Sequence, residues 1–223
     1  MMWGQQKSHP VIMLQTDNTK QVIYDHPMIS LPIWISGLLF ALIHSVFAAE
    51  VCKKWFYQRG LTTQRYRLLY SIFALLLTVI WFFYIYQLPD KPLYHIHGWL
   101  NWLLIFIQLC GLWIVILSLK SFDTKVFLGI SHPPEQGEGF HEHGIYRHMR
   151  HPMYSGVMLA LLASPIQSLN SLNLTLAICF YFVMGSYFEE RRMLQTHPAY
   201  DDYKKRIPAF VPWRTLFRGH SSS

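Results

Sequence analysis

The chain has 223 residues, enough for one domain. Over half of them are hydrophobic and only 14% are charged, against about a quarter in a soluble domain. The apolar residues are gathered into long runs, which argues for a lipid bilayer as solvent and against a single soluble core. The formal charge of +7 does not point to nucleic acid, because the basic residues stand at the ends of apolar runs, where membrane topology places them.

Residues 1–29 lack the continuous apolar stretch of a signal peptide and read as a polar tail. Five membrane spans are expected after it, at residues 30–51, 69–88, 99–119, 153–166 and 172–187. The first three have the roughly 20 residues needed to cross a bilayer at helical rise. The fourth is short. With QSLNSLN linking it to the fifth, the last two spans read as a helical hairpin. Tyr84, Tyr86, Trp99, Trp102 and Tyr187 flank the spans as an interfacial belt. The fold class is therefore all-α and polytopic. Beyond Glu189, apolar residues recur among the charges, so the tail reads as one or two amphipathic helices folded back under the membrane face, interrupted at Pro198 and ended at Pro208. Residues 214–223 form a terminal tail.

Orientation follows from the basic residues. Five spans put sixteen Lys and Arg on one side (loops 52–68 and 120–151 and the C-terminal tail) and three on the other, Lys7, Lys20 and Lys91. This asymmetry predicts an outside N-terminus and a cytosolic C-terminus. Cys52, Cys110 and Cys179 are an odd number, two of them inside apolar runs, so neither a disulfide framework nor a zinc site is expected.

The polar residues that could do chemistry are concentrated in two stretches, HEHGIYRHMRHPMYSG at 141–156 and the segment at 187–213. A short hairpin would bring Arg147, His148, Arg150, His151 and Tyr154 near Glu189 and Glu190. Arginines clamp carboxylates, a carboxylate accepts from ribose hydroxyls or an ammonium, and tyrosine faces stabilise cations. A sulfonium-bearing nucleoside needs all three. The plainer reading stands beside it: the arginines as topology anchors, and the glutamates as ion-pair partners of Arg147 or Arg150. Pro152 suits the first helical position. Gly156, Ala160 and Ala163 allow close approach of a ligand, or only of another helix. His141 with His143, and His148 with His151, have spacings seen in metal sites, but the repeated HxxxH and HxxHH boxes of membrane di-iron enzymes are missing, and no metal is expected. His44, inside the first span beside Ser45, reads equally as a functional group or as a helix-to-helix hydrogen bond.

The pattern YRHMRHPMYSG at 146–156, followed by FEERRML at 188–194 and YDDYKKRIP at 200–208, resembles the integral-membrane methyltransferases of the isoprenylcysteine carboxyl methyltransferase superfamily. Within it, ALIHSVFA at 41–48, KKW at 53–55, RYRLLY at 65–70 and the Phe122-Asp123 pair are similar to segments of the bacterial methanethiol S-methyltransferases. The likeness spans most of residues 35–213. It implies a membrane methyltransferase domain over 30–213, with S-adenosyl-L-methionine held by 141–213 in the bacterial inner membrane, acting on a small or lipophilic acceptor, in first place a thiol. Residue by residue it implies cofactor contacts at Arg150, His151, Tyr154, Gly156, Glu189 and Glu190, and catalytic roles for Arg147, His148 and Arg206. His197-Pro198 departs from the short Gly-containing turn of the relatives. Carboxyl or amine methylation of a prenylcysteine or lipid headgroup is a competing expectation. So is a haem-associated NnrU-type isomerase or redox accessory protein, which shares the early His-Ser segment.

Overall fold

The computed structural model describes residues 30–121, 123–132 and 142–213. The expected polar tail at 1–29, the terminal tail at 214–223, Phe122 and His141 lie outside the described residues. The elements in chain order are α1 (Leu31–Ala48), α2 (Glu50–Tyr57), α3 (Thr63–Gln87), β1 (Pro92–His95), α4 (Trp99–Leu119), α5 (Thr124–Phe127), a single 3-10 turn (Gly144–Arg147), α6 (Pro152–Leu162), β2 (Ile166–Ser168), α7 (Leu169–Thr196) and α8 (Tyr200–Arg206). Four helices, α1, α3, α4 and α7, are long and apolar enough to cross a membrane. Large apolar side chains such as Leu38, Leu75, Ile80, Phe83, Phe106 and Phe180 point outward, the arrangement expected where lipid replaces water around the bundle. The chain is an integral membrane protein built mostly of helix.

Local sequence sets the boundaries. Thr62 caps α3 by accepting from the Arg65 amide, and the helix stops one residue short of Leu88-Pro89. Asp123 caps α5 through the Lys125 and Val126 amides. Gly129, at φ 77°, lies so close to the backbone of Gln64 and Leu68 that no side chain could be accommodated there. Its loop is tied to the start of α3 by Gln64 Nε2 donating to Ile130 O at 2.9 Å. Ser168 and Ser171 form a reciprocal capping box at the start of α7.

Three expectations are corrected. The fourth apolar segment forms a helix of only 11 residues, about 16 Å long at helical rise. It ends at Leu162 because Pro165 disfavours helical backbone just before it, and Ile166 belongs to a strand instead. Residues of the expected link, SLNSLN, are the cap and first turns of α7. That helix then runs 28 residues, past the expected end at 187, and carries Glu189 to Arg192 as a helical extension. Finally, α6 packs chiefly on α4 rather than on α7. Gly156 and Ala160 press against Gly111, where an added Cβ on Gly156 would meet Gly111 O at 2.5 Å, and Gln108 Nε2 closes the pair by donating to Ala160 O at 2.9 Å.

The molecule has two ends. At one, β1 pairs antiparallel with β2, a strand pair absent from the all-α expectation. Asn170 ties this end together through the Pro89 carbonyl and Asp90. At the other end gather the 3-10 turn, the start of α6, the extension of α7, and α8. Ser118 and Tyr146 join α4 to the turn at 2.9 Å, and the Tyr203 hydroxyl donates to Tyr146 O at 2.8 Å.

Candidate functional site

The site is built on the start of one helix and the end of another. His151-Pro152 begins α6. Glu189 and Glu190 sit on the α7 extension, where continuous helix fixes which way each carboxylate faces. Successive helical residues diverge by about 100° around the axis, so the two glutamates serve different neighbours.

Glu190 faces inward, its side chain 9% exposed, and meets three basic side chains. Arg150 approaches with Nε at 2.8 Å and Nη2 at 2.6 Å. His151 Nε2 lies at 3.0 Å and Lys204 Nζ at 2.9 Å. Burial of one carboxylate is tolerable because both of its oxygens are engaged and opposite charge surrounds it. Arg150 has further work: its Nη1 donates to Lys204 O at 3.0 Å and also to Ile207 O. Backbone bonds continue the seam, Arg150 N to Pro208 O and His151 N to Ala209 O, both 2.9 Å, with Ser155 Oγ donating to Phe210 O at 2.8 Å. The segment 204–210 is thereby clipped across the start of α6. Burial pushes the Tyr200 and Tyr203 phenols of α8 up from their ordinary value, so both stay neutral beneath this seam.

Glu189 is different. Its side chain is 40% exposed. It accepts from Tyr154 Oη at 3.2 Å and lies 3.8 Å from His151 Nδ1. One carboxylate oxygen thus remains available beside a wall of rings. Tyr154 stacks on Phe182 with centroids 4.6 Å apart and lies parallel to His151 at 5.6 Å.

The two sequence stretches therefore meet, and they bring Arg150, His151, Tyr154, Glu189 and Glu190 together. Gly156 is placed elsewhere, buried against α4 in the packing role described above. Arg147 and Arg206 share a separate cleft of about 360 Å³ with Glu142, His143, Tyr203 and Ile207. There Arg206 Nη2 pairs with Glu142 Oε2 at 3.0 Å, while Arg147 has no ion-pair partner among the described residues. His148 is exposed and does not line this cleft. A larger hollow, about 480 Å³, lies at the opposite end against the strand pair, far from the carboxylates.

Sequence reading missed Lys204, Ser155, Phe182 and Phe210. Lys204 sits in a run of three basic residues that looks alike from sequence, and only the turn of α8 selects the one that reaches Glu190. Phe182 had no signal beyond being one of many aromatics in a span. His44 finds partners in Tyr70 and Tyr181. Among the described residues no group of three or more His, Cys, Asp or Glu stands close enough to hold a metal.

Comparison with known proteins finds relatives along most of the chain. A family model described as NnrU protein matches residues 32–209. Methanethiol S-methyltransferase 2 of Bradyrhizobium diazoefficiens is 31% identical, over 78% of this chain and 70% of its own length. The methanethiol S-methyltransferase of Mycobacterium tuberculosis is 28% identical, over 78% of this chain and 75% of the relative. That of Pseudomonas deceptionensis is 25% identical, over 78% and 69%. No solved structure matches the chain. With four long apolar helices, the joined polar stretches and matches over nearly all the described residues, the chain belongs to the NnrU protein family and is a homologue of bacterial proteins named methanethiol S-methyltransferase.

Proposed function

We propose that this protein is an S-adenosyl-L-methionine-dependent methyltransferase of the membrane whose acceptor is a small thiol of the methanethiol type. The observation that carries the reading is the pairing of Tyr154 with a half-exposed Glu189, beside a second carboxylate already engaged by Arg150, His151 and Lys204. That donor set fits the cofactor. Glu189 has an open acceptor oxygen for a hydroxyl or ammonium, and the Tyr154, Phe182 and His151 rings offer faces to a purine or a sulfonium. When bound, the cofactor supplies a methyl group already activated by its positive sulfur. The protein's own task is alignment and exclusion of water.

Within that task, Glu189, Tyr154 and His151 contact the ligand. Arg150 and Glu190 hold the 204–210 segment so that it covers the ligand's side of α6. Gly156 acts by letting α6 seat on α4, which fixes the heading of Tyr154 and His151. Arg147 and Arg206 give the neighbouring cleft a positive rim that favours an anionic acceptor group. His148, next to Arg147 in the chain and exposed to solvent, is the proposed group that exchanges protons with it. The basic residues that cluster at this end, against few at the strand-pair end, support a cytosolic side for it; on this proposal the passage through α6 completes a fifth crossing.

Binding of S-adenosylhomocysteine by the purified protein in detergent, measured by calorimetry, tests the reading; absence of binding contradicts it. A second reading, a haem-associated accessory protein, rests on the sequence resemblance and on the match to the model described as NnrU protein. Iron ligation through His44 would have to displace Tyr70 or Tyr181 from the imidazole. A Soret band in the purified protein, without S-adenosylhomocysteine binding, would select that alternative. Transfer of methyl to prenylcysteine or lipid amine in place of thiol would revise the acceptor only.

A further inference from the structure

His44 is the one His, Asp, Glu, Lys or Arg among the described residues that stands inside the apolar stretch of the spans rather than near their ends. A polar ionisable group at that depth is costly, and its retention needs a reason. Both of its ring nitrogens are engaged. Tyr181 Oη of α7 lies 2.8 Å from Nδ1, and Tyr70 Oη of α3 lies 2.9 Å from Nε2. Tyr70 Oη also lies 3.3 Å from Nδ1 and 3.4 Å from the His44 carbonyl, so it sits across the imidazole rather than in line with either ring N–H. Tyr181 Oη is the shortest contact to the ring, at Nδ1, with Ser45 beside its phenol. In the tautomer that carries its proton on Nε2, Nδ1 accepts from Tyr181 O–H.

This pair is connected to the candidate site. Tyr181 and Phe182 are adjacent on α7, Phe182 stacks on Tyr154, and Tyr154 bonds Glu189. Along α7, Tyr181 is eight residues before Glu189, about 12 Å towards the membrane interior. Tyr181 is half-buried and stands on the membrane side of Glu189 along α7.

We propose that Tyr181 and His44 form the thiol subsite, in which the acceptor is converted to its thiolate inside the membrane. This rests on the methyltransferase reading above. The thiol S–H bond breaks as its proton moves to Tyr181 Oη, while the phenol's own proton passes to His44 Nδ1. The sulfur pair left behind forms the new S–C bond to the methyl carbon, and the pair of the old C–S bond stays on the donor sulfur. The imidazolium gives its proton to water as the thioether leaves. A thiolate is the nucleophilic form, and in an apolar site it cannot form without a proton acceptor within reach.

The test compares two acceptors on the full-length protein in detergent: an alkyl thiol, neutral at pH 7, and an electron-poor aryl thiol, already ionised at that pH. Tyr181→Phe keeps the ring packing, and His44→Gln keeps a hydrogen-bonding group. Both variants should bind S-adenosylhomocysteine with wild-type affinity in calorimetry. Both should lose roughly 100-fold in methyl transfer to the alkyl thiol and stay within a few-fold of wild type towards the aryl thiol. Equal losses towards both thiols would mark the cluster as a structural tie between α1, α3 and α7 and overturn the proposal. So would unchanged transfer to the alkyl thiol. Failure of the wild-type protein to bind S-adenosylhomocysteine would instead overturn the methyltransferase reading on which it rests.

Discussion

Two adjacent glutamates on one helix illustrate how position decides role. Glu190 is buried and meets Arg150, His151 and Lys204, so its removal leaves three donors without their acceptor. Breaking a buried ion pair from one side costs about 3–5 kcal/mol. Glu190→Ala should therefore lower the thermal midpoint in detergent markedly, and protease should cut within 204–210 sooner than in wild type. Glu189 is half-exposed and holds only a tyrosine hydrogen bond and a distant imidazole. Glu189→Gln should leave the melting point near wild type while weakening S-adenosylhomocysteine binding by about tenfold, the worth of one charge-assisted hydrogen bond. If the two variants behaved alike in both measurements, the division of labour would be wrong. The sequence identifies the pair EE but does not separate its members. A helical wheel shows them pointing apart; which one faces the core depends on where the 204–210 segment crosses. The plainer reading of these residues as ion-pair partners of an arginine describes Glu190 with Arg150. Arg147, the other arginine considered, has no such partner among the described residues.

At the scale of elements, α6 is the part that hydropathy reads least well. Its apolar run promises a span, but a helix of 11 residues covers about half of a 30 Å hydrocarbon layer. On the proposed fifth crossing, residues 163–168, which end in the strand paired with β1, would make the remaining distance. Periodicity does not reveal such a pair, because PLYH and IQS are too short to show alternation and lie far apart in the chain. What fixes α6 sideways is its glycine. A methyl on Gly156 would strike Gly111 O and the Val115 side chain, and overpacking of this kind costs typically 1–3 kcal/mol. Gly156→Ala should lower the yield of folded protein in membranes, and it should weaken cofactor binding through displacement of Tyr154. Val157→Ala, the neighbouring position, serves as control. Equal behaviour of the two variants in a thermal-shift measurement would deny the close α4–α6 contact. The small-residue spacing is visible in the sequence, whereas its partner helix is not: Gly111 is a lone glycine in an apolar run, and nothing local marks it as facing residue 156.

At the scale of the molecule, the five proposed passages put every element of the site at one end and the strand pair at the other. The basic residues follow that division, so the charge pattern of the sequence alone carries the proposed orientation. In a cysteine-free background, a thiol at His95→Cys should react with an impermeant reagent in intact cells, and one at Lys205→Cys only after permeabilisation; the opposite pattern would reverse the protein in its membrane. A cytosolic site suits a polar cofactor made in that compartment, and a membrane-embedded imidazole suits an acceptor that arrives from lipid. The account stands most directly on transfer itself. Purified protein given methyl-labelled S-adenosylmethionine and methanethiol should form labelled dimethyl sulfide, and Glu189→Gln should slow its formation at limiting cofactor. No labelled thioether from the wild-type protein, under conditions where it binds S-adenosylhomocysteine, would contradict the thiol assignment.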